Sequence, residues 1–119
     1  MACRITELVL DCTDPERLAV FWSEVLGYEV LDRGDDWVEI GPEDRRMTLL
    51  LSQTTDVKLQ KLRLHIDVNA TDRDQEAELE RLLALGATHV DMGQTDVSWY
   101  LLADPEGHEF CLLKSRVEP

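Results

Sequence analysis

The sequence predicts an α+β fold assembled from two copies of a βαβββ module. The stretches ITELVLDCTD and LRLHIDVNAT both alternate apolar and polar residues with a period of two, which is typical of a half-exposed strand. Each stretch leads into an amphipathic helical pattern and then into three short strand patterns. Aligning Glu7 with His65 brings Asp14 onto Asp72, which indicates one module written twice.

The first module is expected over about residues 1–53. Its first strand is predicted over 4–12, and Thr13 or Asp14 is the expected cap of a helix that ends at Gly27. Turns that contain glycine separate the strands that follow, at 28–32, 36–41 and 46–52. These elements account for one complete module.

The second module, about residues 62–119, repeats this plan after a polar linker at about 54–61. Its first strand is predicted over 62–71, and Asp72 is expected to start a helix that Gly86 ends. A turn at Asp-Pro-Glu-Gly separates the last two of the three strands that follow, at 87–92, 97–103 and 108–114. The two modules together are expected to form a single domain over residues 1–119.

Composition excludes several classes of protein. The chain is 44% hydrophobic and 31% charged, which is typical of a globular protein, and its formal net charge of -13 argues against nucleic acid and anionic membranes as partners. No apolar run approaches the roughly 20 residues of a membrane span. The N-terminus lacks an apolar signal region, so a cytoplasmic location is expected. The three cysteines do not suggest a disulfide framework.

One face of the predicted strands carries polar and aromatic side chains, while the helices cover the other. Such a mixture is what a small-molecule pocket needs, and the negative charge is compatible with a cationic ligand. Core packing of the tryptophans, an ion pair between Glu7 and Arg63, and a bond from His65 to Asp67 are the structural alternatives. His89 and His108 are expected at the surface. The predicted pocket face comprises Glu7, Trp37, Glu39, Thr48, Arg63, His65, Asp67, Trp99 and Cys111.

With these residues placed, the chain resembles the vicinal oxygen chelate superfamily, which includes glyoxalase I, bleomycin-resistance proteins and extradiol dioxygenases. The segment ITELVLDCTDPERLAVFWSEVLGYEV resembles the opening strand, Asp-led helix and Leu-Gly stop of that family. The segment LLADPEGHEFCLL resembles its closing DPxGN…E segment. The resemblance covers nearly the whole chain and is greatest to small bacterial glyoxalase-like domain proteins. It implies a curved mixed sheet around a cleft, helices on the outer face, and a homodimer.

The resemblance also implies a ligand set. In metal-dependent relatives a divalent ion is held at four positions, which match Glu7, Thr48, His65 and Cys111 here. Glu7 and His65 suit metal ligation or acid–base catalysis. A threonine hydroxyl is a poor ligand, and Cys111 stands where relatives usually have Glu. The implied metal set is therefore Glu7, His65 and Cys111, incomplete and most compatible with Zn²⁺.

Two functions follow from this pattern, and the residues leave open whether the protein is an enzyme. The first is metal-independent binding of a small molecule, cationic or aromatic, with a drug or a metabolite sequestered as in bleomycin resistance. The alternative is a divalent-metal-dependent lyase or isomerase of the glyoxalase type, or a dioxygenase, acting on a substrate with vicinal oxygens. A purely structural partner domain would leave the polar face without a purpose.

Overall fold

The computed structural model describes residues 2–90 and 98–119, which form two compact units, one ending at Val57 and the other beginning at Lys58. Both units have the order β-α-β-β-β, so the predicted α+β class and the tandem modules are confirmed. The predicted strands at 87–92 and 97–103 extend into residues 91–97, which lie outside the described residues. The elements are β1 (Glu7–Cys12), α1 (Pro15–Leu26), β2 (Glu29–Arg33), β3 (Trp37–Gly41), β4 (Thr48–Gln53), β5 (Ile66–Val68), α2 (Gln75–Leu85), β6 (Thr88–His89), β7 (Tyr100–Ala103) and β8 (Glu109–Leu112).

Each unit contains a four-stranded mixed sheet, and the two sheets have the same topology. The order is β1-β4-β3-β2 in the first and β5-β8-β7-β6 in the second. In both sheets the first and last strands of the module are parallel neighbours, and the other pairs are antiparallel. The repeat seen in the sequence is thus a repeat of strand pairing. Neither described helix is long and apolar enough to cross a membrane.

Helix α1 begins and ends at the residues that the sequence predicts. The Asp14 side chain accepts a hydrogen bond from the Arg17 backbone N–H at 3.2 Å, and Pro15 occupies the first turn. Gly27 adopts φ 67°, and its N–H donates to the Ser23 carbonyl. A left-handed residue without a Cβ is the usual end of an α-helix.

The first core lies between α1 and one face of its sheet. Helix α1 packs on β3 and β4, whose cross-strand pairs Val38–Leu51 and Ile40–Leu49 are buried. Trp22 is 1% exposed, so its predicted place in the core is confirmed. Because successive strand residues point to opposite faces, this core leaves the other set of side chains on the helix-free face of the sheet.

Helix α2 begins two residues later than predicted. Its N-cap is Asp74, whose side chain accepts from the Ala77 N–H at 2.9 Å. Asp72, the predicted cap, instead pairs with Arg73 at 2.9 Å. Both aspartates suit an N-cap by residue type, and sequence spacing does not separate them. The predicted end at Gly86 is confirmed.

Strand β5 is much shorter than the predicted strand over 62–71. Only Ile66–Val68 pair with β8, and Leu64, predicted to be on the apolar face, is 72% exposed. The partner strand sets this limit, because β8 begins at Glu109, one residue before the partner of Ile66. The segment before Ile66 is held by a side chain instead: Glu109 accepts a hydrogen bond from the Leu62 backbone N–H at 3.0 Å.

Candidate functional site

The helix-free face of the first sheet brings together the four site residues predicted for that module. Glu7 and Thr48 are cross-strand partners on the parallel pair β1 and β4. Trp37 and Glu39 are two residues apart on β3, so their side chains lie on one face of the sheet. This is the face of Thr48, because Glu39 pairs with Leu50, two residues after Thr48. We call Glu7, Trp37, Glu39 and Thr48 the first-module face.

A hydrogen bond organises the acidic part of this face. The Thr48 hydroxyl donates to Glu39 Oε2 at 3.0 Å, and Thr48 is buried while Glu39 is half-buried. The threonine is tightly enclosed, since a Cβ built on Gly41 would lie 2.8 Å from its methyl carbon. Thr48 therefore holds the Glu39 carboxylate in place, whereas Glu7 is exposed beside it.

Trp37 covers the turn of its own hairpin. The indole lies so close to Gly34 that a Cβ built there would be 2.2 Å from Trp37 Nε1. The Gly34 N–H also donates to the Trp37 carbonyl at 3.0 Å. The ring is half-buried, so packing on the turn fixes it while part of it faces solvent. Both interpretations of Trp37, as packing residue and as ligand contact, are compatible with this position.

The corresponding face of the second sheet carries Asp67 and Cys111. Tyr100 donates its hydroxyl hydrogen to Glu76 of α2, so its side of the sheet faces the helix. Asp67 and Cys111 are cross-strand partners, and they lie on the side of the sheet opposite to Tyr100. Glu109, two residues before Cys111, lies on that same helix-free side. We call Asp67, Glu109 and Cys111 the second-module face.

The Cys111 thiol is held in its neutral form. Cys111 is 8% exposed, and burial raises its pKa above the ordinary value. The charge of Asp67 and a hydrogen bond between the two side chains raise the pKa further, against a smaller opposing effect of Lys61. The thiol accordingly keeps its proton near neutral pH and pairs with the Asp67 carboxylate.

His65 lies just before β5 and contacts backbone. Its Nε2 is 2.9 Å from the Leu62 carbonyl oxygen, in place of the bond to Asp67 that the sequence left open. Arg63 is exposed in the same turn. It does not lie on a strand, although the predicted pocket face placed it on one. Trp99 directly precedes β7 and is 38% exposed.

Sequence reasoning missed Glu109. Its carboxylate, 9% exposed, accepts from Lys58 Nζ at 2.8 Å through Oε2 and from the Leu62 N–H through Oε1. Burial alone would raise the pKa of Glu109, but hydrogen bonds from these two donors and from its own backbone N–H, with the charge of Lys58, hold the pKa below the ordinary value. Alternation around the apolar Phe110 was the available signal, because it gives Glu109 and Cys111 the same facing.

The strand register also corrects the equivalence between modules. Glu7 pairs with Thr48 in the first ladder, and Asp67 pairs with Cys111 in the second. The helix N-caps Asp14 and Asp74 have the same spacing in sequence as Glu7 and Asp67. The counterpart of Glu7 in the strand pairing is therefore Asp67 and not His65, whereas Thr48 and Cys111 correspond.

His108 is a second correction, because it is buried and not at the surface. Its Nδ1 lies 2.8 and 2.9 Å from the two carboxylate oxygens of Asp104, whose side chain is fully buried. Asp104 also accepts from the backbone N–H groups of Glu106 and His108. These bonds close the turn between β7 and β8, and Gly107 completes it with φ 91°. His89 is exposed, as predicted.

With this geometry established, comparison with known proteins identifies the family. The model of the glyoxalase-like domain matches residues 7–113. The chain belongs to the glyoxalase-like domain family. The match spans both modules, so the glyoxalase-like domain that the sequence resembles is confirmed.

Solved structures of low sequence identity have the same fold. A glyoxalase/bleomycin resistance protein/dioxygenase family enzyme from Burkholderia phytofirmans is 14% identical, with TM-score 0.71, over 92% of this chain and 97% of that one. A fosfomycin resistance protein from Mesorhizobium loti is 16% identical, with TM-score 0.73, over 98% and 96%. Another from Listeria monocytogenes, complexed with Mn(II) and 1S,2S-dihydroxypropylphosphonic acid, is 15% identical, with TM-score 0.75, over 98% and 96%. None of the curated proteins compared with the chain is a significant match.

The donor set of this glyoxalase-like domain does not fit the divalent metal that its fold family implies. Thr48 offers only a neutral hydroxyl, which is a weak ligand, and Cys111 is a buried thiol next to the Asp67 carboxylate. Divalent cations require deprotonated or strongly donating ligands. Among residues 2–90 and 98–119, no group of three or more His, Cys, Asp and Glu side chains could hold a metal ion.

Proposed function

We propose that this glyoxalase-like domain binds a small cationic or aromatic molecule on its helix-free sheet faces without a metal ion, and sequesters it. The observation that carries the proposal is the hydrogen bond from Thr48 to Glu39. Thr48 stands at a position that the resemblance matches to a metal ligand, and its hydroxyl here supports the Glu39 carboxylate. A supported carboxylate beside an aromatic ring is suited to bind an organic cation.

The first-module face supplies the charge and the ring of this binding site. Glu39 is held through Oε2, and Oε1 is the atom to which a ligand ammonium or guanidinium would donate. Trp37 lies two residues away on the same strand, within reach of the same small molecule. Glu7 adds a second negative charge next to Thr48. The formal net charge of -13 attracts cations over longer distances.

The second module carries polar groups of its own that suit small-molecule binding. His65, just before β5, offers an imidazole ring, and Asp67 offers a carboxylate. Cys111 is a small, neutral side chain there and not a nucleophile, because its pKa is raised. Binding without turnover is the expected activity. A homodimer, implied by the family resemblance, and a cytoplasmic location, expected from the N-terminal sequence, stay predictions. Light scattering of the purified protein checks the dimer.

Ligand binding with matched charge variants tests this proposal. A panel of quaternary ammonium, guanidinium, polyamine and N-heteroaromatic compounds is titrated against the metal-stripped protein by calorimetry and tryptophan fluorescence. Glu39→Gln should weaken binding of a hit by about tenfold, since charge-assisted hydrogen bonds to a carboxylate are about twice as strong as neutral ones. Glu80→Gln, an exposed position on α2, is the control with the same change of charge.

The outcome separates the proposal from its competitors. Equal affinity of the two variants for every hit would contradict a site at Glu39. Failure of the whole panel, together with binding that appears only after a divalent ion is added, would favour a metal-dependent lyase or isomerase. That second candidate is supported by the similarity to the Listeria fosfomycin resistance protein, which holds Mn(II).

A further inference from the structure

The geometry of the segment before β5 points to Glu109 as the positioning residue of His65, and to Nδ1 as the ring nitrogen with which His65 acts. This inference rests on the proposed function only for the role of His65 towards a ligand. The positioning itself concerns the folded chain and is measured without a ligand.

Glu109 anchors the segment at two points. One carboxylate oxygen receives the Lys58 ammonium at 2.8 Å, and the other receives the Leu62 N–H at 3.0 Å. The donors are four residues apart, so a single side chain spans the whole turn that leads to His65. A carboxylate that is 9% exposed needs such donors to offset the loss of water. The segment is therefore fixed by a group in the middle of the second-module face.

Glu109 acts on His65 through a single residue, Leu62, which contacts both side chains. Leu62 gives its N–H to Glu109, and its carbonyl oxygen lies 2.9 Å from His65 Nε2. Fixing the Leu62 backbone thus fixes the acceptor that orients the imidazole ring. Because β5 starts only at Ile66, ladder hydrogen bonds do not do this work for His65.

The nature of the acceptor decides the tautomer. A carbonyl oxygen only accepts hydrogen bonds, so Nε2 must carry the hydrogen. In the neutral ring the lone pair then belongs to Nδ1. A proton or a hydrogen-bond donor of a bound molecule is accepted at that atom. A histidine without this contact would exchange between both tautomers.

Nitrogen NMR of the imidazole rings tests the inference directly. With ¹⁵N-histidine incorporated and the pH about 8, above the ordinary pKa of histidine, long-range proton–nitrogen spectra distinguish the two neutral tautomers. The wild-type protein should show His65 with Nε2–H. In Glu109→Ala the signal should move towards a mixture of tautomers. His65→Gln assigns the signal.

Two further variants distinguish positioning from general stability. Glu109→Gln retains an oxygen for the Leu62 N–H but loses the ion pair, and should keep the Nε2–H tautomer. Lys58→Met leaves Glu109 in place and should also keep the Nε2–H tautomer of His65. This variant is needed if Glu109→Ala does not fold. In folded variants the signals of His89 and His108 should stay in place, since neither is bonded to Glu109 or Leu62 in the described contacts.

Affinity links the positioning to the ligand. For a compound that binds the wild type, Glu109→Ala should reduce affinity about tenfold, because the free protein must then order the ring on binding. A wild-type His65 with Nδ1–H, or a tautomer unchanged in folded Glu109→Ala, would overturn the inference. If the tautomer responds as expected and no compound binds, the positioning stands and the proposed function fails.

Discussion

At the residue scale, the helix-free faces are organised by hydrogen bonds from neutral side chains to neighbouring carboxylates. Thr48 and Cys111 occupy positions that the resemblance matched to metal ligands, and each pairs instead with a neighbouring carboxylate. These pairs hold the carboxylates of Glu39 and Asp67 in defined places.

His108 offers a residue-scale test of the second module. His108→Ala removes the imidazole that faces the fully buried Asp104 carboxylate, and should lower the free energy of unfolding by about 1–3 kcal/mol. His108→Asn should lose less, because an amide N–H can still donate to Asp104. Urea unfolding measures both variants.

His89→Ala is the matched control, since His89 is exposed on β6. Its loss of stability should be clearly smaller than that of His108→Ala. Equal losses at the two histidines would mean that the bond between Asp104 and His108 does not stabilise the turn.

At the element scale, local signals predicted well and non-local ones did not. The caps Asp14 and Gly27 depend on neighbouring residues, so the sequence located both ends of α1. The length of β5 depends on where its partner β8 begins, at Glu109, and alternation within residues 62–71 does not contain that information.

The register between strands was lost for a related reason. A period of two gives His65 and Asp67 the same facing, so it cannot decide which of them is opposite Cys111. The resemblance grouped His65 with Cys111, while the ladder pairs Cys111 with Asp67. The face was predictable from the sequence, but the position along the face was not.

The start of α2 can be tested by comparing two aspartates. Asp74→Ala removes the side chain that caps the Ala77 N–H and should cost about 1 kcal/mol of unfolding free energy. Asp72→Ala should cost less, because Asp72 is itself exposed and its ion pair with Arg73 lies at the surface. Thermal unfolding of both variants by circular dichroism checks the order; a larger loss for Asp72→Ala would contradict the cap.

At the scale of the whole molecule, one topology is used twice with different chemistry. The two sheets share their strand order, yet the first carries Trp37 and Glu39 and the second carries Asp67 and Cys111 at their helix-free faces. The family fold allows several chemistries, so function depends on these side chains and not on the architecture. Internal repetition made the topology predictable, and divergence between the copies made the site less so.

Metal content of the untagged protein tests the central claim, binding without a metal ion, most directly. The protein is dialysed against Zn²⁺, Mn²⁺, Ni²⁺, Fe²⁺, Co²⁺ and Mg²⁺ in turn, and bound metal is quantified by mass spectrometry beside a His65→Ala control. We predict no ion above background in either protein. Stoichiometric metal in the wild type that is lost in His65→Ala would contradict the account and establish a metal centre at that histidine.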